Sequence, residues 1–269
     1  MKLAFCIALK NRSYLEVEYE DSTPFLKHAE GKIVDSPYPH HPMRTKEDRI
    51  VLTLLPHMLT SLIKIKKPED DWVVIVSDFG STDVEVHRMM DEILSQGEGI
   101  DWHLYREKEW PYFDRGGGLK KAAEIAETKY NADAVFFLDA DLIFYSRQFI
   151  DECYNALSKG LFYYPIFFAF ADPKHERGFW RDTSYGNFAA RIEDYKKTAG
   201  WKHNISWGWE DRDLADSIPT DKKYRIEMPG FCHQWHPMKW DFRVSEYPVK
   251  HYLFKDAAVA ELPKLSGGK

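Results

Sequence analysis

The chain has 269 residues, 44% of them hydrophobic and 15% aromatic, which is enough to bury a sizeable core and too apolar for a disordered polypeptide. Against 43 acidic residues stand 37 basic ones, and the formal charge of −6 offers no general attraction for nucleic acid or an anionic membrane. The longest apolar stretch, Leu161 to Ala171, contains Pro165 and falls short of the roughly 20 residues of a membrane span, and three scattered cysteines do not make a disulfide framework.

Leu3 to Leu9 reads as a buried strand rather than a signal peptide, so we expect a cytoplasmic protein with no transmembrane segment and with Cys6, Cys153 and Cys232 reduced. After Lys10-Asn11-Arg12 a polar stretch runs to about Lys46 and predicts a long loop, either a flap over a site or a surface insertion. Glu47 to Ile65 has apolar residues at helical spacing interrupted by Pro56, which predicts a kinked helix. Trp72 to Val76 is a continuous apolar run of the kind parallel strands show, and it ends in Ser77-Asp78-Phe79-Gly80-Ser81-Thr82-Asp83.

A helix over Val84–Leu94 and a strand over Ile100–Arg106 follow. Asp114-Arg115-Gly116-Gly117-Gly118 then opens an amphipathic helix through Lys129, and Ala134 to Leu138 is a further strand with Asp139-Ala140-Asp141 at its carboxyl end. Strands alternating with helices predict a doubly wound, mainly parallel α/β sheet whose ligands gather beyond the carboxyl ends of the strands. Lys10, Arg12, Asp78, Arg115 and Asp139 to Asp141 all fall there. From Leu161 onward the pattern loosens into aromatic-rich strands, a short helix near Ile192 to Thr198 and a Trp-rich segment.

Three groups of residues carry chemistry. Two carboxylates just past a buried strand suit a hard cation such as Mg²⁺ or Mn²⁺ bridged to phosphate oxygens, although aspartates at strand ends also cap helices and turns. His233 and His236, in Phe231-Cys232-His233-Gln234-Trp235-His236-Pro237, are spaced so that both imidazoles can turn to one ion, with hydrogen-bonded histidines in an aromatic region as the alternative. Trp207-Gly208-Trp209-Glu210-Asp211-Arg212-Asp213 sets carboxylates beside tryptophans, as a sugar site would, yet acidic residues also favour the first turn of a helix and most tryptophans are core.

In this order the motifs resemble those of inverting, metal-dependent GT-A glycosyltransferases, most closely the β-1,4-galactosyltransferase and chondroitin N-acetylgalactosaminyltransferase group, from about Leu3 to Pro237. Asp139-Ala140-Asp141 is similar to the family's Asp-x-Asp segment, which implies Asp141 as metal ligand and Asp139 as nucleotide contact. Phe113-Asp114-Arg115 resembles a nucleotide-contacting Phe-Asn-Arg segment, and Ala8 to Arg12 resembles the Pro-Phe-Arg-x-Arg segment, with Lys10 in place of an arginine. Ser77 to Asp83 is similar to the Asp-Asp-Gly-Ser-Thr-Asp segment of family 2 transferases, which implies that Asp78 reads the base, while the other resemblances imply Lys10, Arg12, Phe113 and Arg115 as nucleotide contacts. Tyr185-Gly186-Asn187 is similar to a strand with two glycines near the donor, Asn187 replacing the second. Trp207 to Asp213 is the most specific match and implies Asp211 as catalytic base, with Glu210, Trp207 and Trp209 binding the acceptor. The histidine pair falls where the family keeps its remaining metal ligands, His233 and His236.

The resemblance implies one GT-A catalytic domain over 1–269, with a nucleotide-sugar-binding half at 1–145, an acceptor and metal-binding half at 146–240 and a C-terminal extension at 241–269. It implies a UDP-sugar donor of galactose or N-acetylhexosamine type, a saccharide or glycoconjugate acceptor, and Mn²⁺, with Mg²⁺ as the alternative ion. A bacterial or viral setting is expected. Competing expectations are a non-catalytic sugar- or nucleotide-binding protein on the same fold and a metal-dependent phosphohydrolase.

Overall fold

The computed structural model describes residues 1–18, 33–39, 44–46, 49–108, 112–203 and 210–236. The first half builds the frame: β1 (Lys2–Leu9), β2 (Tyr14–Glu18), β3 (Val34–Asp35), β4 (Arg44–Lys46), β5 (Arg49–Thr53), α1 (Leu54–Ile65), β6 (Asp71–Asp78), α2 (Val86–Leu94), β7 (Ile100–Arg106), α3 (Arg115–Tyr130) and β8 (Ala134–Leu138). The second half adds β9 (Leu142–Phe144), α4 (Gln148–Ser158), β10 (Phe162–Phe170), β11 (Arg177–Arg181), β12 (Phe188–Arg191), α5 (Ile192–Tyr195), α6 (Glu210–Asp216) and β13 (Lys223–His233).

Among the described residues the main sheet runs β3-β11-β10-β12-β8-β1-β6-β7, with β13 paired to β10 and β9. Strands β8, β1, β6 and β7 are mutually parallel, and β12 adds antiparallel to β8. Strand β1 sits between β6 and β8, so the chain reverses its winding direction there. The crevice beyond the carboxyl ends of these three strands is the place where an open α/β sheet binds ligands.

The two faces of β1 differ in side-chain size, and this sorts the helices. Leu3, Phe5, Ile7 and Leu9 join one core with Met58 of α1, Met89 of α2 and Phe149 of α4. Ala4, Cys6 and Ala8 face the other way, where α3 brings Leu119, Ala122 and Ala126. Small residues on both sides let α3 approach the sheet closely, and a Cβ on Gly118 would press on Phe79 and Ala8.

Two sequence expectations are corrected. The helix expected over Glu47–Ile65 begins at Leu54, and Arg49–Thr53 is instead a strand between β2 and β4. Pro56 occupies the first turn of α1, where its missing N–H costs no hydrogen bond, so it starts the helix rather than kinking it. The polar stretch before Lys46, expected as a long loop, holds three short strands among its described residues: β2, β3 and β4.

Candidate active site

The loop after β1 is stitched to the loop after β6. Asn11 adopts a left-handed conformation (φ 50°), donates its N–H to Ser81 Oγ at 2.9 Å, and accepts at Oδ1 from the Thr82 N–H at 2.7 Å. Buried Asp83 accepts at Oδ2 from the N–H groups of Ser13 and Tyr14, at 2.7 and 3.0 Å. The first N–H groups of α1, from Leu54 and Leu55, donate to the carbonyls of Ser13 and Arg12. These bonds fix the backbone carrying Lys10 and Arg12 beside Asp78, which is buried and accepts at Oδ1 from the Ser81 N–H at 2.9 Å. Phe113 meets Phe79 of the same turn edge-on at 5.6 Å.

Helix α3 is capped by Asp114, whose Oδ1 accepts from the Gly117 N–H at 2.7 Å and whose Oδ2 lies 2.6 Å from His203 Nδ1. The helix start backs directly onto the chain at Lys202, where a Cβ on Gly116 would strike the Lys202 carbonyl. This places Arg115 at the centre of the crevice. Its Nε and Nη2 each reach Asp139 Oδ1 at 2.8 Å, Nη2 also donates to the Gly186 carbonyl at 2.8 Å, and Nη1 lies 3.8 Å from Glu210 Oε1. The guanidinium rests over the ring of Trp201 at 5.0 Å. Burial opposes its charge, but Asp139, Glu210 and Asp211 outweigh that and raise the Arg115 pKa.

Asp141, His233 and His236 converge two residues further along. Their ligand atoms all lie within 4.8 Å of one another, with His233 Nε2 at 3.4 Å from Asp141 Oδ1 and His236 Nε2 at 3.1 Å from Asp141 Oδ2. Strand β13 pairs with β9 so that His233 stands opposite Leu142, next to Asp141. The turn beyond is tied down by Gln234, whose N–H donates to the Asp141 carbonyl (2.8 Å) and whose side-chain amide donates to the carbonyls of Leu54 (3.0 Å) and Leu142 (2.7 Å). The Trp235 N–H donates to His175 Nε2 at 3.3 Å, and the His233 ring lies parallel to Phe167 at 5.5 Å.

This donor set fits a divalent ion. Burial pushes the His233 imidazole down to about 4, so its nitrogen lone pair is available near neutral pH. Burial opposes ionisation of Asp141, but His233, His236 and Arg12 together hold its carboxyl well below the usual range. Asp141 Oδ1 is buried without a hydrogen bond. The carboxylate stands 3.4 and 3.1 Å from the two imidazoles, spacings that suit neighbouring positions around an ion with bonds of about 2.1 Å, and mixed oxygen and nitrogen ligands suit Mn²⁺.

Glu210 and Asp211 open α6, and both are half-buried. Burial raises the Glu210 pKa against the opposing pull of Arg115. Asp211 Oδ1 accepts from the Arg212 N–H at 2.9 Å. Trp207 and Trp209 lie outside the described residues. The structure therefore brings Arg115, Asp139 and Glu210 into one chain of contacts and Asp141, His233 and His236 into another, two residues away. Sequence reading passed over Gln234, His175 and His203. For Gln234 a signal existed, an amide enclosed between two candidate ligands in an aromatic segment, while the contacts of His175 and His203 depend on folding alone.

Residues 81–251 match the family model described as chondroitin N-acetylgalactosaminyltransferase. The chain belongs to this family. Its similarity to curated members is partial: it is 32% identical over 167 residues to mouse (Mus musculus) chondroitin sulfate synthase 3, covering 54% of this chain and 18% of that protein. Against human (Homo sapiens) chondroitin sulfate N-acetylgalactosaminyltransferase 2 it is 28% identical over 181 residues, covering 56% and 31%. The chain thus spans less than a third of the length of these relatives.

Among solved structures, S. aureus TarS 1–349 in complex with UDP-GlcNAc superimposes with a TM-score of 0.54 at 12% identity, over 89% of this chain and 60% of that one. The mannosyltransferase PcManGT from Pyrobaculum calidifontis, in complex with GDP-Man and Mn²⁺, gives a TM-score of 0.52 at 14% identity, over 87% and 56%. The chain of this chondroitin N-acetylgalactosaminyltransferase family member has the GT-A glycosyltransferase fold. Among its described residues no helix is long and apolar enough to cross a membrane.

Proposed function

We propose that the chain is an inverting, metal-dependent glycosyltransferase that moves a sugar of galactose or N-acetylhexosamine type from a UDP-sugar to a hydroxyl of a saccharide acceptor. The observation that carries this reading is the convergence of Asp141, His233 and His236 at the carboxyl end of β8, beside an arginine that joins Asp139 to Glu210. Family membership supports the donor class, since the family's description names an N-acetylgalactosaminyltransferase.

Asp141, His233 and His236 would hold Mn²⁺, with Mg²⁺ as the alternative; a bound cation there supplies a Lewis acid that neutralises charge on the departing diphosphate. Lys10, Arg12 and Arg115 offer cationic donors to the nucleotide, Asp78 and Phe113 border its base, and Asp139 accepts from its hydroxyls. Glu210, with Trp207 and Trp209, holds the acceptor. Asp211 takes the proton of the attacking hydroxyl. The acceptor oxygen bonds to the anomeric carbon as that carbon's bond to the diphosphate oxygen breaks, and the electron pair leaves with UDP. Attack from the face opposite UDP inverts the anomeric centre.

The test is a UDP-release screen across UDP-sugars with and without Mn²⁺, using the full chain and oligosaccharide acceptors. Release that requires both Mn²⁺ and acceptor supports the reading. No release with any UDP-sugar overturns it.

A further inference from the structure

Asn187 stands where the resemblance implies a second glycine, and its side-chain amide bonds twice to Asp139. Its Oδ1 accepts the Asp139 backbone N–H at 2.8 Å, and its Nδ2 donates to Asp139 Oδ2 at 2.9 Å. One side chain therefore grips both the backbone and the carboxylate of a single residue, which fixes the backbone and side-chain torsions of Asp139 together. The grip follows from strand pairing, because Phe188 of β12 stands opposite Phe137 of β8 and the antiparallel register carries the preceding Asn187 to the end of β8, next to Asp139.

The remaining geometry says what the grip leaves open. An ionised carboxylate has about four acceptor positions. Arg115 Nε and Nη2 occupy Oδ1 of Asp139, and Asn187 occupies one position of Oδ2. One position on Oδ2 remains, on a side chain that is 30% exposed, whereas Asn187 itself is only 3% exposed.

We propose that Asn187 is a positioning residue that presents Asp139 as a single-point acceptor for a hydroxyl of the sugar nucleotide. The proposal rests on the glycosyltransferase reading of this site. Asn187 acts through Asp139 and not by touching the ligand: alanine or glycine at this position removes both bonds, and aspartate sets one carboxylate against another.

Calorimetric titration of the full chain with UDP and with UDP-GalNAc, in the presence of Mn²⁺, tests this without requiring turnover. Asn187→Ala and the nearly isosteric Asn187→Asp should each weaken UDP-GalNAc binding about 10-fold or more, the scale of losing a hydrogen bond to a charged group. Mn²⁺ affinity without nucleotide should stay within about twofold of wild type, and Asn187→Ala should add nothing in an Asp139→Ala background, because its whole effect passes through that carboxylate. A loss shared by UDP assigns the open position to a ribose hydroxyl, and a loss confined to UDP-GalNAc assigns it to the sugar. Unchanged binding in both variants, or an equal loss with and without Asp139, overturns the inference. A wild-type chain that binds neither UDP nor UDP-GalNAc removes the proposed function as well, whereas a binding wild type with unaltered variants removes this inference alone.

Discussion

His236 Nε2 lies 3.1 Å from Asp141 Oδ2, and this contact joins the residue that precedes β9 to the turn that follows β13. The two side chains are buried together, with His233 on the other carboxylate oxygen. Asp141→Asn or His236→Ala should therefore lower Mn²⁺ affinity by more than the 10–100-fold typical of changes behind the ligands. Direct Mn²⁺ titration measures it. A variant that binds Mn²⁺ like wild type would show that the ion sits elsewhere.

Gln234 should matter to the same ion although it does not face it. Gln234→Leu removes the hydrogen bonds to the carbonyls of Leu54 and Leu142, at roughly 0.5–1.5 kcal/mol for each. We expect a lower urea midpoint together with about 10–100-fold weaker Mn²⁺ binding. Saturating Mn²⁺ should restore part of the lost stability, because the ion binds only the folded chain. A destabilised variant with wild-type Mn²⁺ affinity would limit Gln234 to a role in the fold.

Asp211→Asn should reduce UDP release about 10²–10⁴-fold, the usual contribution of a general base, with UDP affinity within about twofold of wild type. Steady-state kinetics and UDP titration separate the two quantities. Equal losses in turnover and nucleotide affinity would argue for a binding role instead.

Away from the crevice, Arg147 forms a two-point ion pair with buried Asp70, at 2.5 and 2.7 Å, and also donates to the Ile65 carbonyl at 2.9 Å. Burial opposes the charge on Asp70, but Arg147 and the Lys67 N–H outweigh it and hold the carboxyl below its usual range. A depressed carboxylate stabilises the fold above its unfolded pKa of about 3.9 and loses that contribution as the pH falls through the lower folded value. The stability gap between wild type and Asp70→Asn should be full above about pH 5 and close on further acidification. Chemical denaturation at a series of pH values measures it, and a gap that widens below pH 4 would contradict the assignment. Arg147→Ala should cost about 3 kcal/mol at neutral pH, since it leaves a buried charge unpaired.

The start of α3 offers a purely steric test. Gly116→Ala drives a methyl into the Lys202 carbonyl, and overpacking of this kind costs roughly 1–3 kcal/mol. Because Arg115 is the neighbouring residue, turnover should fall along with the urea midpoint. Lost stability with unchanged turnover would mean that the helix start shifts without moving the guanidinium.

Much of this was written in local patterns. The continuous apolar runs at Leu3 to Leu9, Trp72 to Val76 and Ala134 to Leu138 specify strands buried on both faces, and their alternation with helices specifies a parallel sheet with a crevice at the carboxyl ends. The motif order sufficed for the family, because Asp-x-Asp, Glu-Asp-x-Asp and the histidine pair are local strings. Arg49–Thr53 is not legible as a strand in the sequence, because an apolar stretch with one proline fits a helix as well as a strand followed by a helix start, and only pairing with Tyr14–Glu18 decides between them. Tertiary structure alone set the partners of each charge. Arg115 joins Asp139 to Glu210, Asn187 grips Asp139, and Gln234 braces the histidine turn because β12 and β13 bring distant segments alongside β8 and β9. Composition and periodicity fix which residues are buried and which face they occupy, but hydrogen bonds between residues far apart in the chain depend on strand register, which only the folded sheet supplies.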